Sequence, residues 1–209
     1  MTKPKETSDS LTHPIVEPAH IVVPERKRTA GDYAAVALAT WGVGLIPLAP
    51  GTWGSAVGVG LYLLLARGAE RGFDSAVASG LNVSPQAFPV VLHTVLLAAI
   101  LLVSLVGMWA ATRSERLLGK KDPGAVVVDE VAGQLITFLF VPWLPGQGPG
   151  GWTVFAGFLA FRLFDIWKPY PVRRLEGLGG GLGIMADDML AGFYAATAMS
   201  LLVTIRLVY

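Results

Sequence analysis

Seven charged residues interrupt or flank stretches that are otherwise apolar: Asp129, Glu130, Arg162, Asp165, Lys168, Asp187 and Asp188. A charge set in a membrane-type apolar segment is costly, so each is a candidate for function. On a helix, Arg162, Asp165 and Lys168 stand three residues apart and share a face. A structural ion pair between Arg162 and Asp165 accounts for two of the seven. It leaves a surplus, because five carboxylates face two cations. A divalent cation, water or protonation must take up that surplus. Oxygen-rich sites suit Mg²⁺, which also bridges to the phosphate oxygens of a substrate. Adjacent helical residues point about 100° apart. One member of each acidic doublet is therefore expected to face a metal, the other to hold a water, a second metal or a basic side chain. Gly133 and Gly192, three or four residues beyond the doublets, remove bulk from the same face.

These residues need helices to place them. Pro169 and Pro171 disfavour a helical Lys168 and Tyr170, so the Arg162 helix is expected to stop near Lys168. A glycine run then lets the chain turn. It leads into a last helix over about 187–209, opened by the second doublet. Asp129 and Glu130 start a helix read as far as Trp143, and 152–164 forms the segment before the Arg162 face. The stretch Ala49-Pro50-Gly51-Thr52-Trp53-Gly54-Ser55 reads as a turn into a helix over 53–66, with Thr52 as N-cap. Helix N-termini bind phosphate readily, although taken alone this motif is better explained by an ordinary cap. Residues 67–89 read as a loop whose charges cancel. Residues 90–111 match the roughly 20 apolar residues that cross a bilayer, and a basic loop follows at 113–121.

Composition agrees with a membrane setting. Of 209 residues, 53% are hydrophobic and 15% charged, with mean hydropathy +0.57; soluble domains carry about 25% charged residues. A net charge of +1 gives no case for nucleic-acid binding. The absence of cysteine excludes disulfides, thiolate zinc sites and cysteine nucleophiles. His13, His20 and His93 do not form the motifs of a histidine-dependent lipid phosphatase, and no Asp-x-Asp motif supports a haloacid-dehalogenase phosphatase. Residues 1–31 are polar and proline-broken and are expected to be a disordered tail, without the apolar core of a secretory signal. Residues 32–209 form one domain. The basic run Glu25-Arg26-Lys27-Arg28 is expected to stay cytoplasmic. If 53–66, 131–143 and the last helix leave the cytoplasm while 90–111 and 152–164 return, all the candidate residues and Thr52 fall at the cytoplasmic face. The expected fold is all-α: a compact helical membrane bundle with short and re-entrant apolar helices and its active site at one end. Oligomeric state is not readable.

The chain resembles the phosphatidylglycerophosphatase A family. The resemblance rests on Gly44 to Ser55, on Asp122-Pro123-Gly124 with Val128-Asp129-Glu130 and Gly133, on Phe161-Arg162 with Asp165 to Pro171, and on Gly180 to Met185 with Asp187-Asp188 and Ala191-Gly192. It runs in order from about Tyr33 to the C-terminus and does not cover the tail or 67–89. It implies a Mg²⁺-dependent bacterial membrane phosphatase of the cytoplasmic membrane, acting on the phospholipid phosphatidylglycerophosphate. On that footing Asp129, Glu130 and one or both of Asp187 and Asp188 hold the metal. Thr52, Arg162 and Lys168 bind the phosphate, and Asp165 orients Arg162, activates water or ligates metal. The alternative from another class is a small transporter or ion-binding membrane protein, which would spread its carboxylates through the depth of the bilayer.

Overall fold

The computed structural model describes residues 27–143, 146, 148–175 and 177–208; of the expected disordered tail, residues 1–26 lie outside them. Among the described residues the chain is helical, with no β-strand. Its helices are α1 (Ala30–Thr40), α2 (Pro50–Ala78), α3 (Ala87–Leu118), α4 (Val128–Thr137), α5 (Gly151–Trp167), α6 (Val172–Leu175) and α7 (Gly180–Val208).

The bundle is built around its shortest inner helix. At about 1.5 Å per residue, α4 is roughly 15 Å long, too short to cross a bilayer. Every residue of α4 except Glu130 is buried. α7, α2, α3 and α5 surround it, so it is buried in protein and not in lipid. This resolves the short 131–143 segment: the helix stops at Thr137, and Trp143 instead tucks its ring edge-on against Tyr62 at 5.9 Å. Around this core, α3 and α7 are long and apolar enough to cross a membrane. Leu97, Leu101, Leu102 and Leu105 of α3 and Leu201, Leu202 and Ile205 of α7 are exposed, the surface that lipid would cover.

Other boundaries also differ from the sequence reading. Residues 67–78 are the second half of α2, not a loop. Gly68 and Gly72 lower helix propensity there, but Ala66, Ala69 and Phe73 pack on the main core and Phe73 meets Phe88 of α3 edge-on at 5.6 Å. Tertiary packing overrides the two glycines. Likewise α3 runs to Leu118, so Arg113, Glu115 and Arg116 are helical. Finally, α7 starts at Gly180, seven residues before Asp187. Its glycine-rich first turn is held on α3, where Thr112 Oγ1 accepts the Gly181 N–H at 2.8 Å. The helix end at Lys168 falls where the prolines put it: Lys168 takes a left-handed conformation (φ 48°) and caps α5.

α1 is fastened to the same end of the bundle by an ion pair. Asp32 Oδ2 accepts the Thr29 backbone N–H at 2.6 Å and Asp32 Oδ1 accepts Arg113 Nε at 2.7 Å. The Thr29 amide, and after it Arg113, hold the Asp32 carboxyl well below the usual carboxylate range.

Candidate active site

Two close helix crossings assemble the site. Where α4 meets α7, a Cβ on Gly192 would overlap the Gly133 carbonyl oxygen, and a Cβ on Gly133 would stand 2.6 Å from the Asp188 carbonyl oxygen. Only glycine permits this approach. It brings the helical turn that carries Asp188 against the turn that carries Asp129. Where α2 meets α4, a Cβ on Gly54 would lie 2.8 Å from Val127 Cβ, and one on Gly58 2.7 Å from Gln134 Cβ. This second crossing lays the N-terminus of α2 over the first acidic doublet. Gly133 and Gly192 therefore act by helix approach, not by clearing room for a ligand.

One oxygen each from Asp129, Glu130 and Asp188 lies within 4.8 Å of the others. Both members of the first doublet take part, and both sit in the first turn of α4. Asp187 points elsewhere and accepts a hydrogen bond from Lys168 Nζ at 2.7 Å. Beside Asp187, a cavity of about 280 Å³ opens between the end of α3 and the start of α7, with Lys121 and Asp122 in its wall. Arg162 Nη1 donates to Asp165 Oδ2 at 2.6 Å, which fixes the guanidinium beside the acidic cluster.

The open end of α2 completes the arrangement. A Cβ on Gly51 would stand 2.5 Å from Glu130 Oε1 and 3.1 Å from Arg162 Nη1. Gly51 therefore sits between the carboxylate and the guanidinium, where only its backbone fits. Thr52 is not the N-cap: Ala49 (φ 48°) precedes the helix, Pro50 takes the first helical position and Thr52 is exposed at the third. Its amide folds back to the Ala49 carbonyl at 3.0 Å. Pro50 was the signal for that start, since proline favours the first helical position, where its missing N–H costs nothing. The contact made by Gly51 had no such signal, because it depends on how α2 crosses α4.

All eight residues singled out in the sequence thus lie at one end of the bundle. They do not line a path through its depth, as a transporter would need. Glu70, a further buried carboxylate, is structural: it accepts the Gly146 N–H and lies 3.8 Å from Arg67, far along α2 from this site.

A family model for phosphatidylglycerophosphatase A matches residues 36–203, which include every residue of the site. A Bacteroides thetaiotaomicron protein, provisionally named phosphatidylinositol-3-phosphatase, is 38% identical over 159 residues, 74% of this chain and 84% of its own length. Two proteins named phosphatidylglycerophosphatase A are also similar. The one from Haemophilus influenzae is 35% identical over 74% of this chain and 79% of its own, and the one from Escherichia coli 31% identical over 75% of each. No solved structure matches the chain.

Proposed function

The chain belongs to the phosphatidylglycerophosphatase A family, and we propose from that premise that it hydrolyses phosphatidylglycerophosphate to phosphatidylglycerol and phosphate, a step of phospholipid biosynthesis, with Mg²⁺ as cofactor. It is a phosphatase for phosphate monoesters. The observation that carries the finer reading is the meeting of Asp129, Glu130 and Asp188 beside Arg162 and the N-terminus of α2.

The donor set fits a hard divalent cation. Two unit charges 4.8 Å apart repel by about 3.5 kcal/mol at an effective dielectric of about 20. Three such pairs rival the roughly 5–15 kcal/mol that holds a domain folded. Asp129 Oδ1 and Glu130 Oε2 are moreover buried without a hydrogen-bond donor among the described residues. A cation relieves both costs at once, and all-oxygen ligation suits Mg²⁺. When bound, Mg²⁺ supplies charge neutralisation at the phosphate oxygens and polarises the phosphorus centre.

The chain's own groups do the rest. Asp129, Glu130 and Asp188 hold the metal, and Asp165 fixes the Arg162 guanidinium so that its other edge meets the phosphate. Arg162 and Lys168 stabilise the charge that builds on the equatorial oxygens, since phosphoryl transfer rests on positioning and electrostatics. The N-terminus of α2, at Gly51, adds the positive end of a helix dipole to the same place. Asp187 holds Lys168. Water becomes bonded to phosphorus as the ester bond to glycerol breaks, one water proton passing in net to the glycerol oxygen, and the phosphate leaves from the polar end of the bundle.

The experiment is phosphate release by purified protein in neutral detergent. Phosphatidylglycerophosphate is expected to be cleaved, excess chelator to abolish release and Mg²⁺ to restore it. Full turnover in chelator would remove the metal from the reading. Faster release from phosphatidylinositol 3-phosphate would transfer the substrate assignment to the lipid named by the Bacteroides relative.

We place the protein in the bacterial cytoplasmic membrane as a multi-pass protein with its site at the cytoplasmic face. The support is the basic end of the bundle, where Arg116, Lys120, Lys121, Arg173 and Arg174 flank the site, the charge bias of cytoplasmic segments. Because the chain has no cysteine, Lys120→Cys carries its only thiol. An impermeant maleimide is expected to label it in inverted vesicles and not in intact spheroplasts; the opposite pattern reverses the orientation.

A further inference from the structure

We propose that the turn between α5 and α6 is a second anion site, built for the phosphodiester that joins the substrate's headgroup to its diacylglycerol; this rests on the lipid reading of the active site above. A cavity of about 530 Å³ lies at that turn, walled by Trp167, Lys168, Tyr170, Arg173 and Arg174 together with the two prolines. Three of these residues are cations, and none of its described lining residues is acidic. The wall is exposed, and contacts among its own residues order part of it. The Arg174 guanidinium lies 4.8 Å above the Tyr170 ring and donates to its hydroxyl at 3.2 Å, while the Tyr170 carbonyl accepts the Tyr194 hydroxyl of α7 at 3.1 Å. A guanidinium pre-placed in this way loses less freedom when it takes up an anion.

Its position says which anion. Lys168 lines the cavity and also bonds Asp187, the neighbour of Asp188. The second site therefore adjoins the active site, with Lys168 at their common wall and Arg173 and Arg174 belonging to the second site alone. On the other side, Trp167 is shared with an apolar groove of about 650 Å³ along α5, which begins at Trp152 and has Arg162 in its wall. Trp152 and Trp167 are about 22 Å apart along the helix, and Trp at both ends of an apolar stretch is the pattern of a membrane-facing segment. Trp167 borders both the groove and the cationic cavity, and one cation of the phosphatase site stands in the wall of each, Arg162 in the groove and Lys168 in the cavity. A lipid with acyl chain, phosphodiester and terminal phosphomonoester has one group for each of the three parts. Phosphatidic acid, whose monoester is attached directly to diacylglycerol, has nothing for the cationic cavity. Phosphatidylglycerophosphate and phosphatidylinositol 3-phosphate share the diester, so the cavity selects for that group and not for either headgroup.

The test uses the full chain in neutral-detergent micelles, so that surface charge does not act. Binding is read by quenching of tryptophan fluorescence with lipids brominated in the acyl chain. Wild type is expected to bind brominated phosphatidylglycerol, which has the diester and no monoester, about tenfold more tightly than brominated diacylglycerol, and Arg173→Ala/Arg174→Ala to erase that preference. A tenfold change is the size expected for losing charge-assisted hydrogen bonds to one phosphate. The same double variant is expected to raise KM for phosphatidylglycerophosphate about tenfold relative to KM for phosphatidic acid, and Arg174→Lys to recover part of it. If the double variant does not fold, the exposed Arg173→Ala alone gives the same direction at smaller size. A preference that survives the substitution, or two KM values that rise together, overturns the site. If wild type binds the diester lipid through these arginines but releases no phosphate from phosphatidylglycerophosphate, the substrate assignment fails and the second site stands. If wild type turns over phosphatidylglycerophosphate without any preference for the diester lipid, the second site fails and the substrate assignment stands.

Discussion

Asp188→Asn is expected to lower kcat/KM on phosphatidylglycerophosphate by about a thousandfold, and Asp129→Asn by a similar factor. Each removes one of three charges that meet within 4.8 Å, and a thousandfold loss corresponds to about 4 kcal/mol of transition-state stabilisation. Shape is nearly unchanged, so the loss is one of charge. A thermal measurement separates this from damage to the fold. Without Mg²⁺ the wild-type carboxylates repel one another, so each variant should melt at or above the wild-type temperature. With Mg²⁺ the wild type should gain stability as any protein does from a ligand that binds only its folded state, and the variants should gain little. Asp187→Asn makes the contrast, because Asp187 is turned to Lys168: it should keep the Mg²⁺-induced shift and lose less activity. A wild-type protein with no Mg²⁺ shift, or an Asp188→Asn protein that keeps one, would contradict the ligand set.

Gly192→Ala should cost about a hundredfold in kcat and melt about 5 °C lower, although it adds a single methyl group and removes no charge. The new Cβ would occupy the place of the Gly133 carbonyl oxygen. Both groups belong to helix backbones, so no side chain can swing away, and α4 and α7 must part. Overpacking of this kind costs about 1–3 kcal/mol, and in a chain of this size each kcal/mol is worth roughly 2–4 °C. Asp188 sits one turn before Gly192 and moves with it. A displacement of about 1 Å in a catalytic group can cost about a hundredfold. Gly60→Ala is the control: nothing lies within 4 Å of a Cβ at that helical position, so it should be neutral or slightly stabilising. Equal effects at the two glycines would remove the crossing as the determinant of the site.

The sequence by itself determined the kind of protein and singled out the residues of the candidate site. An apolar chain of low charge must be helical where it meets lipid, because helices satisfy their own backbone. Carboxylates and cations placed within such a chain are too costly to be incidental, which is why Asp129, Glu130, Arg162, Asp165, Lys168, Asp187 and Asp188 could be named without coordinates. The end of α5 at Lys168 was equally legible, since proline acts on its immediate neighbour. Other features depended on contacts between residues far apart in the chain, and there local signals misled. Gly68 and Gly72 suggested a loop, but Phe73 packing on Phe88 keeps α2 helical. The glycines at 180–183 suggested a turn, but Thr112 of α3 holds them as the first turn of α7. Thr52 looked like a cap, while the backbone of Gly51 takes the place beside Glu130 and Arg162. The division of labour within the doublets, Asp188 toward Asp129 and Glu130 and Asp187 toward Lys168, was likewise not local. It follows from the depth at which Gly133 and Gly192 let α4 and α7 approach. Such a depth belongs to a pair of helices, and neither sequence segment specifies it alone.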